Sequence, residues 1–501
     1  MALQIQAPVP NRLSTAIFVG KSSLLQLRRA ARNALDGTHQ HPQYSAPQFA
    51  HTTAKSETPL WTDTNPSEAW YQRGKIQNLR VAAGRLHLCV IPPDEVFSFW
   101  KQVGRASALK GYVRGRMLQE GCMIPAIGGG LCQLSNALYQ VALDAGCEIL
   151  ERHPHSRIVP GSATAAGRDA TVAWNYIDLR FRSSRPIQLR VVLTATELHV
   201  SIHMTELSSD AEHPEKRAST ALKVPPIHGD HACESCGNTS CFRHAPATIN
   251  LGLRSRSAFL LDAAWPEFKS YVATHHNPED ILAVPLHGER WNRPQFSWPS
   301  EGFSSVHTAT LTTLAQALRN RSLPAQGASR QSILLKRASS LARQLAKSLN
   351  PDVDEVYVSQ SILPSLWQSG VLGGRRIRVF MSQLPMVTLQ STLDEALRHH
   401  PKSPTLGDFR ADPGLMYAEE EALRHADHLI TPHAYIAALF QTKTTLLEWS
   451  IPPTLSAAPT PSANSRPTIL FPASTLGRKG AYELREALRG LSIKLLLRAG
   501  S

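Results

Sequence analysis

Three consecutive glycines, Gly128-Gly129-Gly130, run straight into Leu131-Cys132-Gln133-Leu134-Ser135-Asn136. A glycine run interrupts regular structure, and the residues after it set where structure restarts. Leu134, Ala137, Leu138, Val141, Ala142 and Ala145 recur at three- and four-residue steps, with Gly146 where a C-terminal cap belongs, so a helix is expected to begin near Cys132. A thiol at a helix start meets the positive end of the helix dipole, which favours thiolate. The glycine N–H groups offer a cradle for an anion or oxyanion, which makes Gly128, Gly129, Gly130 and Gln133 candidate substrate-binding residues. A second reading stays open, in which the glycines only shape a turn and Cys132 packs as a small apolar residue.

A chain of 501 residues is too long for one core, and two or three domains are expected. Its 42% hydrophobic and 18% charged residues are those of a globular protein. Of the net charge of +14, half lies between Arg73 and Arg116, where nine basic residues face two acidic ones. That bias suits an anionic ligand or surface, or else a solvated face. No aromatic residues interleave with these bases in a nucleic-acid-binding pattern, so nucleic acid is not an expected partner. Seven cysteines, three of them clustered, fit a reducing compartment better than a disulfide framework. The apolar run Leu13 to Gly20 is too short to span a bilayer, so a cytoplasmic protein with at most peripheral membrane contact is expected.

Along the chain, residues 1–66 read as an N-terminal arm with a basic helical patch at Leu24 to Leu35. Residues 67–205 read as an α+β domain, with a helix over Lys75 to Leu88, strands at Cys89 to Ile91 and Glu148 to Arg152, and β-patterned segments at Ala170 to Arg182, Ile187 to Thr194 and Glu197 to His203, the last two joined by a hairpin turn at Ala195-Thr196. Residues 206–247 are a polar linker. In 248–460, strand-like runs such as Ile281 to Val284 and Val356 to Val358 alternate with helix-like runs such as Ile333 to Ser348 and Glu419 to Ala426, the pattern of a parallel α/β, Rossmann-like domain. Residues 466–501 hold two strands and one helix, too few to bury a sheet, so an incomplete last domain is expected.

Several separate pieces, in order, resemble the VanW-like family. They are Asn78 to Leu88, Pro93-Asp94-Glu95-Val96-Phe97-Ser98-Phe99, Gly111-Tyr112, Gly128 to Ser135, Glu151-Arg152-His153-Pro154-His155-Ser156, Gly167 to Val172 and Asp178 to Phe181. Pro93 departs from the glycine usual in that turn. The resemblance implies a bacterial protein linked to the cell envelope, without implying a reaction. The residues themselves suggest one: Cys132, then His155, then Asp169 or Asp178, has the makeup of a nucleophile, a general base and an orienting carboxylate. The alternative is that His155 and Asp169 serve turns. A scaffold that binds anionic envelope precursors without turnover is the rival to an enzyme.

The back half resembles a group 1, GT-B-type glycosyltransferase. Ile469 to Gly480 matches the strand, loop and Lys-Gly that open that family's donor-nucleotide domain. The resemblance implies a nucleotide-sugar donor, an envelope glycan or glycolipid acceptor, and a diphosphate-binding role for Lys479. Ser474 stands in the place of the family's arginine, which leaves Arg478 as substitute. Later donor-site carboxylates of the family would lie past Ser501.

Within the linker, Cys233-x2-Cys236-x4-Cys241-x2-His244 offers three thiolates and one imidazole, a set suited to tetrahedral zinc or to an iron–sulfur centre. It is expected to hold about one metal per chain. Elemental analysis of protein purified without chelator checks this, and the Cys233→Ser plus Cys236→Ser variant should lose that metal.

Overall fold

The computed structural model describes residues 12–35, 37–44, 48–62, 68–119, 122–154, 169–174, 176–205, 256–320, 327–450, 467–471 and 476–497. His155 and the set Cys233, Cys236, Cys241 and His244 lie outside them. The chain divides into two compact units, Met1–Ser255 with Gly373–Arg375, and Arg256–Leu372 with Arg376–Ser501.

In the first unit an antiparallel sheet runs in the order His51–Pro59, Glu197–Met204, Ile187–Leu193, Cys89–Ile91. The hairpin between Ile187–Leu193 and Glu197–Met204 turns where the sequence places it, with Thr194 N–H donating to the Glu197 carbonyl. The expectation of an arm over residues 1–66 is corrected, because His51–Pro59 is an edge strand paired along its length with Glu197–Met204. Its inward residues are Ala54 and Ser56, too small and polar to give a hydrophobic period. Before it, Arg12–Leu35 is one helix, longer than the Leu24 to Leu35 patch.

The helix expected over Lys75 to Leu88 spans Ala69–Ala83 instead. Gly84 caps it, and Leu88 takes a left-handed φ of 61°, which no helix tolerates. Ala170 to Arg182 is likewise not one strand. Only Arg180–Arg182 is regular, between Val96–Ser98 and Glu148–Glu151, while Ala173 bridges Ile177 in an isolated turn. The core joins Leu79, Ile91, Phe97, Leu134, Leu138, Val141, Phe181 and Leu189, with the rings of Phe97 and Phe181 stacked 4.5 Å apart.

The glycine run follows the second strand of a hairpin, Arg114–Gln119 with Cys122–Ile127, and leads into the helix Cys132–Asp144. Gly129 packs backbone to backbone on Gly115; a Cβ added at Gly129 would lie 2.4 Å from the Gly115 carbonyl carbon. Fully buried Asn78 fastens this contact, its amide donating to the Val113 carbonyl at 3.0 Å and the Gly129 carbonyl at 2.9 Å while its Oδ1 accepts from Val113 N–H at 2.8 Å.

The second unit is built on a seven-stranded parallel sheet in the order Ser305–Thr308, Ile281–Val284, Arg256–Leu260, Val353–Ser359, Arg376–Phe380, His428–Thr431, Thr444–Leu446. Strand order reverses between Arg256–Leu260 and Val353–Ser359, the switch point of a doubly wound, Rossmann-like sheet. The helices expected over Ile333 to Ser348 and Glu419 to Ala426 span Ala328–Leu345 and Pro413–His425. Thr468–Phe471 pairs in parallel with Lys494–Leu497, with the helix Ala481–Ala487 between them in sequence.

Removing the Asn78 amide takes away the partner of the Val113 N–H and of the Gly129 carbonyl, while the Val113 carbonyl keeps Gly128 N–H, so Asn78→Ala should destabilise the first unit by about 3 kcal/mol. Urea unfolding read by tryptophan fluorescence measures it, and Gln102→Ala provides a comparison among the same unit's buried amides.

Candidate functional site

Three segments meet at the start of the helix Cys132–Asp144. Ala170 is clipped to the helix on both sides, its carbonyl accepting from the Ser135 hydroxyl and its N–H donating to Asn136 Oδ1 at 2.7 Å. Thr171 N–H donates to the His153 carbonyl at 2.8 Å. Arg152 holds Asp169 twice, through Nε to its carbonyl at 2.7 Å and through Nη2 to Oδ1 at 2.8 Å, with its guanidinium 5.3 Å from the Tyr139 ring centroid. Against this frame Cys132 is half-buried, with Sγ 3.6 Å from Thr171 Oγ1.

The structure thus brings Cys132 and Asp169 into one frame, where the Asp169 carboxylate is engaged by Arg152. Asp178 belongs to another. Its carboxylate accepts from the Ser98 hydroxyl at 2.6 Å, Trp100 N–H at 3.1 Å, its neighbour Leu179 N–H at 3.0 Å and Arg180 Nε at 3.2 Å, fastening the central strand of the three-stranded sheet to the helix Phe99–Val103. Burial raises the Asp178 pKa despite these bonds. Glu151 lies beside it and moves the other way. Burial pushes Glu151 up, but the hydrogen bonds and charge of Arg29, with the Asp178 N–H and His153, outweigh it and leave its pKa lowered.

The expected anion cradle is corrected in part. Gly128 N–H donates to the Val113 carbonyl and Gly129 N–H to the Ala126 carbonyl, so both close the turn instead of facing a ligand. Gly130, with φ 94°, leaves room for Lys75, whose Cγ would be 2.3 Å from an added Cβ. The Gln133 amide donates to Thr58 Oγ1 at 3.0 Å and the Pro59 carbonyl at 2.9 Å, which ties the helix to the edge strand.

In the second unit, sequence reasoning passed over Asp262, just past the first strand at the switch point. It is half-buried beside Ser361, whose hydroxyl donates to its carboxylate, and its own N–H donates to Ser359 Oγ at 3.0 Å. Burial raises its pKa against those hydroxyls. The signal was present, since an aspartate directly after an apolar parallel strand sits where such sheets bind ligands. Lys479 ends the short turn Gly477–Lys479 ahead of Gly480, which has a left-handed φ of 83°. Arg478 stacks over the Phe409 ring at 5.0 Å.

Residues 74–203 match the family model described as VanW like protein. The chain is 28% identical over 169 residues to YoaR of Bacillus subtilis (strain 168), described as uncharacterized, covering 33% of this chain and 54% of YoaR. It is 32% identical over 145 residues to the vancomycin B-type resistance protein VanW of Enterococcus faecalis (strain ATCC 700802 / V583), covering 28% of this chain and 52% of that protein. The chain therefore spans about half the length of the curated relatives it matches. Among solved structures, LpCGTa in complex with UDP aligns over 49% of this chain and 70% of its own, at 12% identity and a TM-score of 0.25. No helix among the described residues is long and apolar enough to cross a membrane.

Two measurements check this site. Burial pushes the thiols of Cys89 and Cys147 up to about 12, whereas Cys132 is half-buried at a helix start, so limited alkylation near neutral pH should label Cys132 faster than either. Glu151, with its lowered folded pKa, contributes stability that is present above the unfolded carboxylate pKa and lost as pH falls through the folded one. The urea midpoint of Glu151→Gln should therefore fall less than that of the parent between about pH 6 and about pH 3.

Proposed function

We propose that the VanW-like domain of residues 74–203 is a thiol-dependent transferase or hydrolase of bacterial cell-envelope metabolism, with Cys132 as nucleophile. The observation that carries this is the half-exposed thiol at a helix start, framed by Ser135, Asn136, Arg152, Asp169 and Thr171 from separate stretches of the chain. In this reading His155 takes the thiol proton, the thiolate bonds to an electrophilic carbon of the substrate as that carbon's bond to its leaving group breaks, the leaving group departs with the proton from His155, and water or an acceptor hydroxyl then displaces the thiol from the carbon. Asp169 acts through Arg152, and Asp178 fastens the frame. The resistance described for the Enterococcus faecalis relative supports the envelope as setting.

The second unit, in the same proposal, is a GT-B-type region that takes a nucleotide sugar, with an envelope glycan or glycolipid as acceptor. Support comes from its doubly wound strand order and from the charge of Lys479 at the loop between two parallel strands, with Arg478 beside it. Fold alone is an analogy, so the lysine carries the reading. The linker residues Cys233, Cys236, Cys241 and His244 hold zinc or an iron–sulfur centre in this proposal.

Incubation with isolated envelope precursors followed by intact-mass analysis tests the thiol role. A covalent adduct that maps to Cys132 and disappears in Cys132→Ala is the expected result, whereas tight precursor binding with no adduct and no turnover would support a non-catalytic scaffold. For the second unit, calorimetry with a panel of nucleotide sugars should find one ligand whose affinity drops about tenfold in Lys479→Ala.

A further inference from the structure

His39, His41 and Glu95 bring one ligand atom each within 4.8 Å of one another, in a part of the first unit that the thiol site does not use. Each histidine has one ring nitrogen on a backbone carbonyl, His41 Nε2 on Val96 at 3.1 Å and His39 Nδ1 on Gly37 at 3.2 Å. A carbonyl oxygen only accepts, so both of those nitrogens carry the proton. In the neutral rings the remaining nitrogens, His41 Nδ1 and His39 Nε2, present lone pairs to the same carboxylate oxygen, Glu95 Oε2, at 3.3 Å and 3.2 Å. Glu95 Oε2 and His41 Nδ1 are both buried and have no hydrogen-bond partner.

Three acceptor atoms that converge without a donor repel one another unless a cation sits among them. We propose that His39, His41 and Glu95 bind a divalent metal ion of the zinc class. Zinc bonds to imidazole nitrogen and carboxylate oxygen are about 2.0–2.2 Å, so neighbouring ligands at the corners of a tetrahedron stand about 3.3–3.5 Å apart. The two contacts to Oε2 lie at or just under that edge, and an octahedral site at the same bond length would bring them to about 3.0 Å. Imidazoles whose second N–H is held by a backbone carbonyl are the usual arrangement around a bound metal, because that bond fixes the tautomer and the ring.

The site is also built. The Gln102 amide clamps the His41 backbone, its Oε1 accepting from His41 N–H at 2.9 Å and its Nε2 donating to the His41 carbonyl at 3.1 Å. Val90 N–H bonds to the Pro42 carbonyl at 2.9 Å and Tyr44 N–H to the Leu88 carbonyl at 3.1 Å, which fixes the segment on both sides of His41. Opposite, the turn before Glu95 is tied down by Asp94 N–H on the Ser183 carbonyl at 2.7 Å, with Asp94 at a left-handed φ of 60°. His41 is buried while the His39 side chain is 60% exposed, so the fourth position of the metal opens to solvent and takes water or a small anionic group.

The test separates this site from the linker cysteines by using the full chain with Cys233→Ser, Cys236→Ser and Cys241→Ser. After chelator treatment, cobalt(II) is added as a spectroscopic stand-in for zinc. The expected result is about one equivalent bound, with visible ligand-field bands but no thiolate charge-transfer band, and displacement by zinc. Glu95→Gln, which keeps the size of the side chain, and His39→Ala, at the exposed position, should each weaken binding at least tenfold. Zinc should also raise the melting temperature of the triple variant and leave that of its Glu95→Gln derivative unchanged. Absence of cobalt uptake by the folded triple variant, or uptake unaltered by Glu95→Gln, would overturn the proposal.

Discussion

One buried amide decides where the candidate nucleophile stands. Asn78 reaches from the helix Ala69–Ala83 to bond Val113 and Gly129 at once, and so holds the hairpin strand to the glycine turn, where Gly115 and Gly129 meet backbone to backbone. A side chain at either glycine would push the two backbones apart, and the turn that follows would no longer aim the chain into the helix Cys132–Asp144. An amide that makes three bonds in the absence of water is held to one geometry, because each alternative strands a polar group. The glycine run thus reads first as a device for close approach, and the position of Cys132 follows from it.

Charge is arranged around the same frame with a division of labour. Asp178 and Glu151 are neighbours in the first unit, yet burial moves one upward while arginine moves the other downward. The difference lies in the partners. Asp178 is held mainly by N–H and O–H groups that bond its oxygens, whereas Glu151 faces the guanidinium groups of Arg29 and Arg180. Arg29 and the edge strand both come before residue 74, so a part of what fixes the frame lies ahead of the matched family segment.

Much of the architecture was legible where hydrophobic spacing carried it. The helix after the glycines, the hairpin at Ala195-Thr196 and the strand–helix alternation of the second unit all rest on apolar residues at regular intervals. What escaped has a common cause, since it depends on polar or small residues whose partners are distant in sequence. The strand His51–Pro59 turns Ala54 and Ser56 inward, and a period of small residues has no hydropathic contrast. Asp169 was picked out as a carboxylate near the thiol, but its pairing with Arg152 is a matter of three-dimensional placement. Asn78 sits in a helical stretch where nothing local marks it as a clamp, and the convergence of His39, His41 and Glu95 needs the turn at Asp94 to exist before it can be seen.

The edge strand also sets an order of events as the chain is made. His51–Pro59 leaves the ribosome early, but the strand it pairs with ends at Met204, so its backbone donors and acceptors have no ladder until well over a hundred further residues have been synthesised. A pairing of such long sequence separation closes late and slowly, because the loop must be ordered before the contact rewards it. During that interval its polar face, Thr52, Lys55 and Glu57 among the exposed positions, keeps the waiting segment in water and away from unintended partners. The polarity that hid this strand from sequence patterning is thus the property that suits it to wait.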